Sequence, residues 1–374
     1  MTNWANYLRV GLVAVAVSLL WFWRFETSLP KGLKAGQKVR ITGVLSAETQ
    51  VLGNLQKFAL AGVKVRTSRF PEYHWGDRLV VTGQVKIGKQ NWLLTEYLLE
   101  WPKIEEVSPT FRISPITSFR EKLVNIYRQN LPEPYASLLG GIVLGEKSSL
   151  PQDFYQALKK TGTMHLVVAS GANIAFFAGH LMFFLPFLIN RRLSYILTIT
   201  AIWFYVLLAG GEAPVLRAGI MGTIGYFGLS LGREKESLVA LLLAGLILLL
   251  LWPRSLFDLG FQLSFAATAG IILLAGRKWG MAEKLPAQIR VSLKTTLAAQ
   301  ALTTPIIFLS FGTYPLISPV ANLAVFWTIP YLMLFGFLAV AFGLLLPFLG
   351  RALALLSFPL LFYFVKVIEL LQNL

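Results

Sequence analysis

The stretch TGTMHLVVASGANIAFFAGHL, from Thr161 to Leu181, decides how this chain is read. It opens the apolar part of the sequence, yet it carries His165, Ser170, Gly171, Asn173 and His180 among leucines, valines and phenylalanines. A segment that only anchored the protein would be built from Leu, Ile and Val. Polar side chains pushed toward hydrocarbon need partners or water, so this segment belongs inside a bundle or beside a polar path. At about 100° per residue, His165, Ser170, Asn173, Phe177 and His180 fall within an arc of roughly 140°. Gly171 offers another outcome: a helix break whose freed backbone groups line a cavity. A seam satisfied by neighbouring helices, with Ala169, Gly171 and Ala172 as small packing residues, is the plainest reading.

Working outward, 55% of the 374 residues are hydrophobic and 14% charged. With a mean hydropathy of +0.63, this is the composition of a polytopic α-helical membrane protein. Spans are expected at 165–189, 193–209, 214–232, 237–252, 256–276, 293–311 and 352–372. Pro319 and Pro330 interrupt residues 315–349, which makes 315–329 a re-entrant or broken segment. Upstream, residues 4–23 form an isolated apolar segment ending in Trp21-Phe22-Trp23. No small-x-small cleavage site follows, so residues 1–29 read as an N-terminal transmembrane anchor helix.

The net charge of +16 is distributed unevenly among the loops. Arg191-Arg192, Arg233 with Lys235, and Arg277, Lys278, Lys284 and Arg290 occupy one alternating set. The other set holds Glu212, Arg254 with Asp258, and Gly312-Thr313. The basic set is expected in the cytoplasm. Threading back from it places the N-terminus inside and residues 30–160 outside, in a multi-pass protein of the cytoplasmic (inner) membrane.

Residues 30–110 have a different pattern. Val39, Ile41 and Leu45 alternate with Lys38, Arg40 and Thr42. Val63 and Val65, then Leu79, Val81, Val85 and Ile87, repeat the period of two, and Asn91 to Trp101 supplies a last strand. About five short strands predict a small extracytoplasmic all-β, OB-like barrel. Its Lys38, Arg40, Lys64, Arg66 and Arg69, with Trp75 and Trp92, combine cations and stacking platforms in the way single-stranded nucleic acid requires. Residues 111–163 read as a helical, amphipathic connector at the outer membrane face, and 164–374 as the transmembrane channel domain.

Further polar residues are spread through that domain. Arg217 follows the turn Gly210-Gly211-Glu212-Ala213-Pro214, while Asp258 and Gln262 share one helix face beside Phe261 and Phe265. Gln300, Thr303, Thr304 and Asn322 complete the set. Arg217 and Asp258 satisfy either a structural ion pair or a polar path. Catalysis is not expected: Ser170 and His165, five residues apart on a helix, point about 140° from each other. No phosphate-cradling loop or paired-carboxylate motif is present. With no cysteine and three histidines, neither a metal centre nor a cofactor is expected.

Several blocks resemble the ComEC family, the membrane channel proteins of bacterial DNA uptake. They are Leu144-Gly145-Glu146-Lys147-Ser148-Ser149-Leu150; Thr161-Gly162 through His165 to Ser170-Gly171; Gly210-Gly211 with Pro214 and Leu216-Arg217-Ala218; Asp258 to Phe265; and Pro305, Phe311-Gly312, Ser318-Pro319 with Ala321-Asn322. The resemblance implies a channel for inward passage of single-stranded DNA during natural transformation. His165, Ser170, Gly171, Asn173, Phe177, His180, Arg217, Asp258, Gln262 and Asn322 would line or gate it. A lipid bilayer, a separate nuclease, a DNA receptor and a cytoplasmic ATPase or helicase are the partners it implies. Two departures stand out. Asn173 occupies a position where the family commonly has His, which removes a titrating group. The chain also stops at Leu374 within apolar sequence, as expected of a short form lacking the C-terminal metallo-β-lactamase-like domain. A transporter of a small solute or lipid, with the barrel as regulatory lid, and a non-conducting envelope scaffold are the competing readings.

Overall fold

The computed structural model describes the chain except residues 1–16, 29–32, 46–48, 53–54, 72, 74–75, 91–94, 109–113, 147–149, 168–169, 212, 233–236, 278, 281–285, 312–316 and 374. Most of the expected anchor, Trp75, Trp92 and several of the loop charges used for orientation lie outside the described residues. Helix α1 covers residues 17–28.

The period-two segments form strands: β1 (Lys38–Val44), β2 (Gln50–Leu52), β3 (Leu55–Leu60), β4 (Val63–Ser68), β5 (Arg78–Gln90), β6 (Thr95–Glu100) and β7 (Lys103–Ser108). They pair in the order β1-β5-β6-β4-β3-β2, with β7 also on β5. The result is a half-barrel. Strand β5 is its spine: its first half pairs with β1 and β7, its second half with β6. At the changeover stands Gly83, where a Cβ would meet Pro102 at 2.9 Å. Leu60, Val63, Val65, Leu79, Val81, Val85 and Leu99 fill the concave side. Ile87 keeps its register opposite Tyr97 but is 46% exposed, at the last regular pair before the β5–β6 register shifts.

The rest is helical: α2 (Ser114–Asn130), α3 (Tyr135–Leu144), α4 (Gln152–Lys160), α5 (Met164–Val167), α6 (Gly171–Leu188), α7 (Arg191–Leu208), α8 (Ala213–Ser230) and α9 (Ser237–Leu251). A short 3₁₀ turn, Pro253–Phe257, leads into α10 (Leu259–Gly270), which has a π-helical extension, Ile271–Ala275. Helices α11 (Ala287–Phe311), α12 (Ser318–Phe326), α13 (Ile329–Gly343) and α14 (Pro347–Leu371) follow. By length and composition α6, α7 and α14 can each cross a membrane. Helices α12 and α13 make a fourth candidate, bent by 48° at their junction. Both begin with proline in the first turn, the position proline tolerates, so the expected break falls where Pro319 and Pro330 put it.

Helix α3 is buried along its length. Every residue from Ala136 to Leu144 is buried, within one core shared with α2, α4, α13 and α14. Glycines permit this: a Cβ on Gly141 would meet Val167 at 2.9 Å, and one on Gly336 of α13 would meet Val143 at 2.5 Å. The Tyr127 hydroxyl of α2 donates to the Gly336 carbonyl at 2.9 Å. Gly145 ends α3 in the left-handed region at φ 74°, the conformation that glycine favours at a helix end, with N–H groups of Gly145 and Glu146 returning to Gly141 and Gly140.

Candidate functional site

Helix α5 ends at Val167 and α6 begins at Gly171, with Ser170 extended at φ −122° and ψ 169°. His165 therefore lies on a separate element from the other polar residues of the stretch. The single-helix arc gives way to the break that Gly171 allowed. His165 is exposed, and its Nδ1 lies 3.0 Å from the Gly162 carbonyl.

The break brings Ser170 onto Asn173. The Ser170 hydroxyl donates to Asn173 Oδ1 at 3.0 Å, and Asn173 Nδ2 donates to the Ile142 carbonyl of α3 at 2.8 Å. The last carbonyls of a helix have no partner within it. Asn173, 1% exposed, supplies one from a different helix. Its role is hydrogen-bond donation, which needs no titrating group.

One turn further along the same face of α6 is Phe177, whose ring lies 4.6 Å from Phe337 of α13 and 5.3 Å from Tyr205 of α7. The Tyr205 hydroxyl is buried beside Asn173 and has no hydrogen-bond partner among the described residues. Thr198, also on the buried face of α7, has an unpartnered hydroxyl too. These two residues were not singled out from sequence. The signal existed, since Ser194, Thr198, Ile202 and Tyr205 recur at helical spacing within a span otherwise read as apolar. His180 lies roughly 15 Å below Ser170 along α6, its Nδ1 2.6 Å from the Phe176 carbonyl of its own helix.

A second polar cluster surrounds the start of α10. Asp258 is its N-cap, accepting from the Phe261 N–H at 2.8 Å. Arg217 of α8, 3% exposed, donates from Nη2 to the Gly260 carbonyl at 2.8 Å. Its guanidinium carbon lies 5.8 Å from the centre of the Phe261 ring, while its buried Nε has no partner. Arg217 and Asp258 thus hold opposite groups of one helix start, near enough for their charges to interact. Gln262 donates to the Leu256 carbonyl at 2.9 Å. The two clusters are neighbours: a Cβ on Gly171 would lie 3.4 Å from Ala218, the residue after Arg217. Asn322 is placed apart on α12, bonded to Ser318 at 3.0 Å and with a buried, unpartnered Oδ1. Among the described residues no group of His, Asp or Glu is placed to hold a metal ion.

On the half-barrel, Lys38, Lys64 and Arg40 point outward, and Arg66 is half-buried. Arg40 and Lys103 meet Glu105 at 3.8 and 3.2 Å, while Arg66 and Lys86 meet Glu100 at 3.9 and 2.6 Å. The Lys86 hydrogen bond, then its charge and that of Arg66, hold the Glu100 carboxyl below its ordinary range. Strand register adds Lys57 opposite Arg66, so cations outnumber carboxylates across this convex face.

The sequence model of the Competence protein family matches residues 142–374, which include both polar clusters. The chain belongs to that family. It is 27% identical over 213 residues to ComE operon protein 3 of Bacillus subtilis, covering 56% of this chain and 26% of that protein. It is 28% identical over 196 residues to Competence protein ComA of Neisseria gonorrhoeae, covering 50% of this chain and 27% of that protein. An uncharacterized protein of Aquifex aeolicus is 25% identical over 274 residues, 70% of this chain and 62% of its own length. The chain thus spans less than two thirds of each of these relatives. No solved structure matches it.

Proposed function

We propose that this competence-family protein takes part in DNA uptake, as a channel through which single-stranded DNA passes inward across the cytoplasmic membrane. Membership of the family carries the general role, and one of the relatives is itself named a competence protein. The observation that carries the channel reading is Arg217: a cation buried among helices, with one N–H still unpartnered. A buried charge is costly and is kept where it works. Here it stands beside Asp258 and Gln262, next to the Ser170–Asn173 break, at a bundle end where a strand's phosphates would enter.

In this reading the half-barrel is OB-like and lies outside the membrane, with its basic convex face gathering DNA. The N-terminus lies in the cytoplasm. Transport energy, strand degradation and delivery fall to a partner ATPase or helicase, a nuclease and a DNA receptor.

The test is internalisation of labelled DNA in a strain whose own gene is replaced by Arg217→Ala or Arg217→Lys. Arg217→Ala is expected to lower internalisation severely with membrane protein levels maintained, and Arg217→Lys to retain part of it. Uptake that is unchanged in Arg217→Ala at normal levels would overturn the channel reading.

A further inference from the structure

We propose that Trp101 and Phe70 form a stacking platform for the bases of single-stranded nucleic acid on the membrane-distal end of the half-barrel. The proposal rests on the DNA-uptake reading and identifies the part of the domain that would touch bases.

Trp101 is 61% exposed and Phe70 is 70% exposed, although Trp101 comes one residue after β6 and Phe70 two residues after β4, both core-forming strands. Strands β4 and β6 run parallel, with Arg66 opposite Glu100, so the residues after them leave the sheet at the same end. Trp101 is tied there by its N–H, which donates to the Arg66 carbonyl at 2.9 Å. Its φ is 51°, a left-handed conformation that bulky non-glycine residues rarely adopt. Strain combined with a large exposed ring is the pattern of a site held for a ligand. The opposite end of β4 begins at the Ala61–Gly62 turn, whose carbonyl at Gly62 accepts from Arg254 of the helical bundle at 3.4 Å. Strand β4 therefore carries the two rings roughly 17 Å beyond that junction. This distance argues against a membrane-interface belt and leaves the rings facing the aqueous phase.

The charge around the rings selects the ligand. The Arg69 guanidinium lies 5.3 Å from the centre of the Phe70 ring. Arg66 reaches Glu100 only at 3.9 Å and keeps an unpartnered Nε. Flat apolar faces between cations suit alternating bases and phosphates.

The test is binding of fluorescent oligothymidylate to the full-length protein in lipid nanodiscs, with an abasic oligonucleotide of equal length as the control. Trp101→Ala is expected to weaken oligothymidylate binding about tenfold, with Phe70→Ala weakening it to a lesser degree. Abasic binding should not change, and Trp101→Phe should keep most of the affinity. Equal oligothymidylate affinity in wild type and Trp101→Ala would overturn the platform while leaving the DNA-uptake reading intact. Equal losses for both oligonucleotides would likewise overturn it, by assigning the effect to charge or fold. A wild-type protein that binds neither would remove the DNA-binding role of the domain itself.

Discussion

Asn173 shows how a polar residue in an apolar helix acquires its meaning from its partner. Its amide donates to an orphan carbonyl at the buried end of α3, so removing the donor leaves that carbonyl unsatisfied. Asn173→Ala is expected to destabilise the detergent-solubilised protein by about 1–3 kcal/mol in chemical denaturation. Asn173→Asp should lose at least as much, since a carboxylate cannot donate. The polarity of Asn173 was legible in sequence. Its partner Ile142 was not, because it is a backbone atom in a run too short to read as a span. Glu100 tests the exposed face by titration. Its carboxyl is held below its ordinary value of 4.5 chiefly by the Lys86 hydrogen bond. The stabilisation is therefore present above that value and is lost as pH falls through the lowered one. Melting temperature followed from pH 7 downward should fall more in wild type than in Glu100→Gln below about pH 4.5, by a small margin typical of surface pairs.

Elements whose hydrophobic period differs from their neighbours were readable, and those decided by close packing were not. The alternation in β1, β4 and β5 and the break at Pro330 needed only local rules. Strand β7 (KIEEVS) has one apolar residue to bury in its described part, Ile104, and forms because β5 presents an open edge. The depth of α3 depends on close approaches at its own Gly141 and at Gly336 of α13. This predicts a graded response to adding one methyl group. A Cβ on Gly350 would overlap the backbone of Gly343, and one on Gly270 would overlap the Ala298 carbonyl. Backbone cannot step aside as a side-chain tip can, so Gly350→Ala and Gly270→Ala should each cost about 1–3 kcal/mol or more. Gly179, with nothing within 4 Å of its Cβ position, should accept alanine neutrally or gain up to about 1 kcal/mol. Thermal unfolding of the three variants in one detergent measures the ranking.

At the scale of the whole molecule, the half-barrel and the bundle meet through a junction centred on one side chain. Arg254, in the 3₁₀ turn before α10, donates to the carbonyls of Ser28 at the end of α1 and Gly62 in the β3–β4 turn. Trp21 donates to the Pro253 carbonyl at 3.3 Å, and Phe25 lies 5.6 Å from Phe257. The β domain and the α9–α10 connection therefore share one side of the bundle. The same turn carries Asp258 a few residues on, so the junction also sets the distance between the basic face and the Arg217 cluster. Arg254→Ala removes both carbonyl contacts. Hydrogen exchange at the Ala61–Gly62 turn and the end of α1 should then quicken by about tenfold or more, as expected for losing charge-assisted hydrogen bonds. Exchange within β5 and α3 should stay unchanged. Arg254→Lys offers a single ammonium in place of a fork and should restore only part of the protection. Exchange at both segments equal to wild type would mean that the domain is held by the aromatic contacts of α1, and Phe25→Ala would then be the variant that frees it.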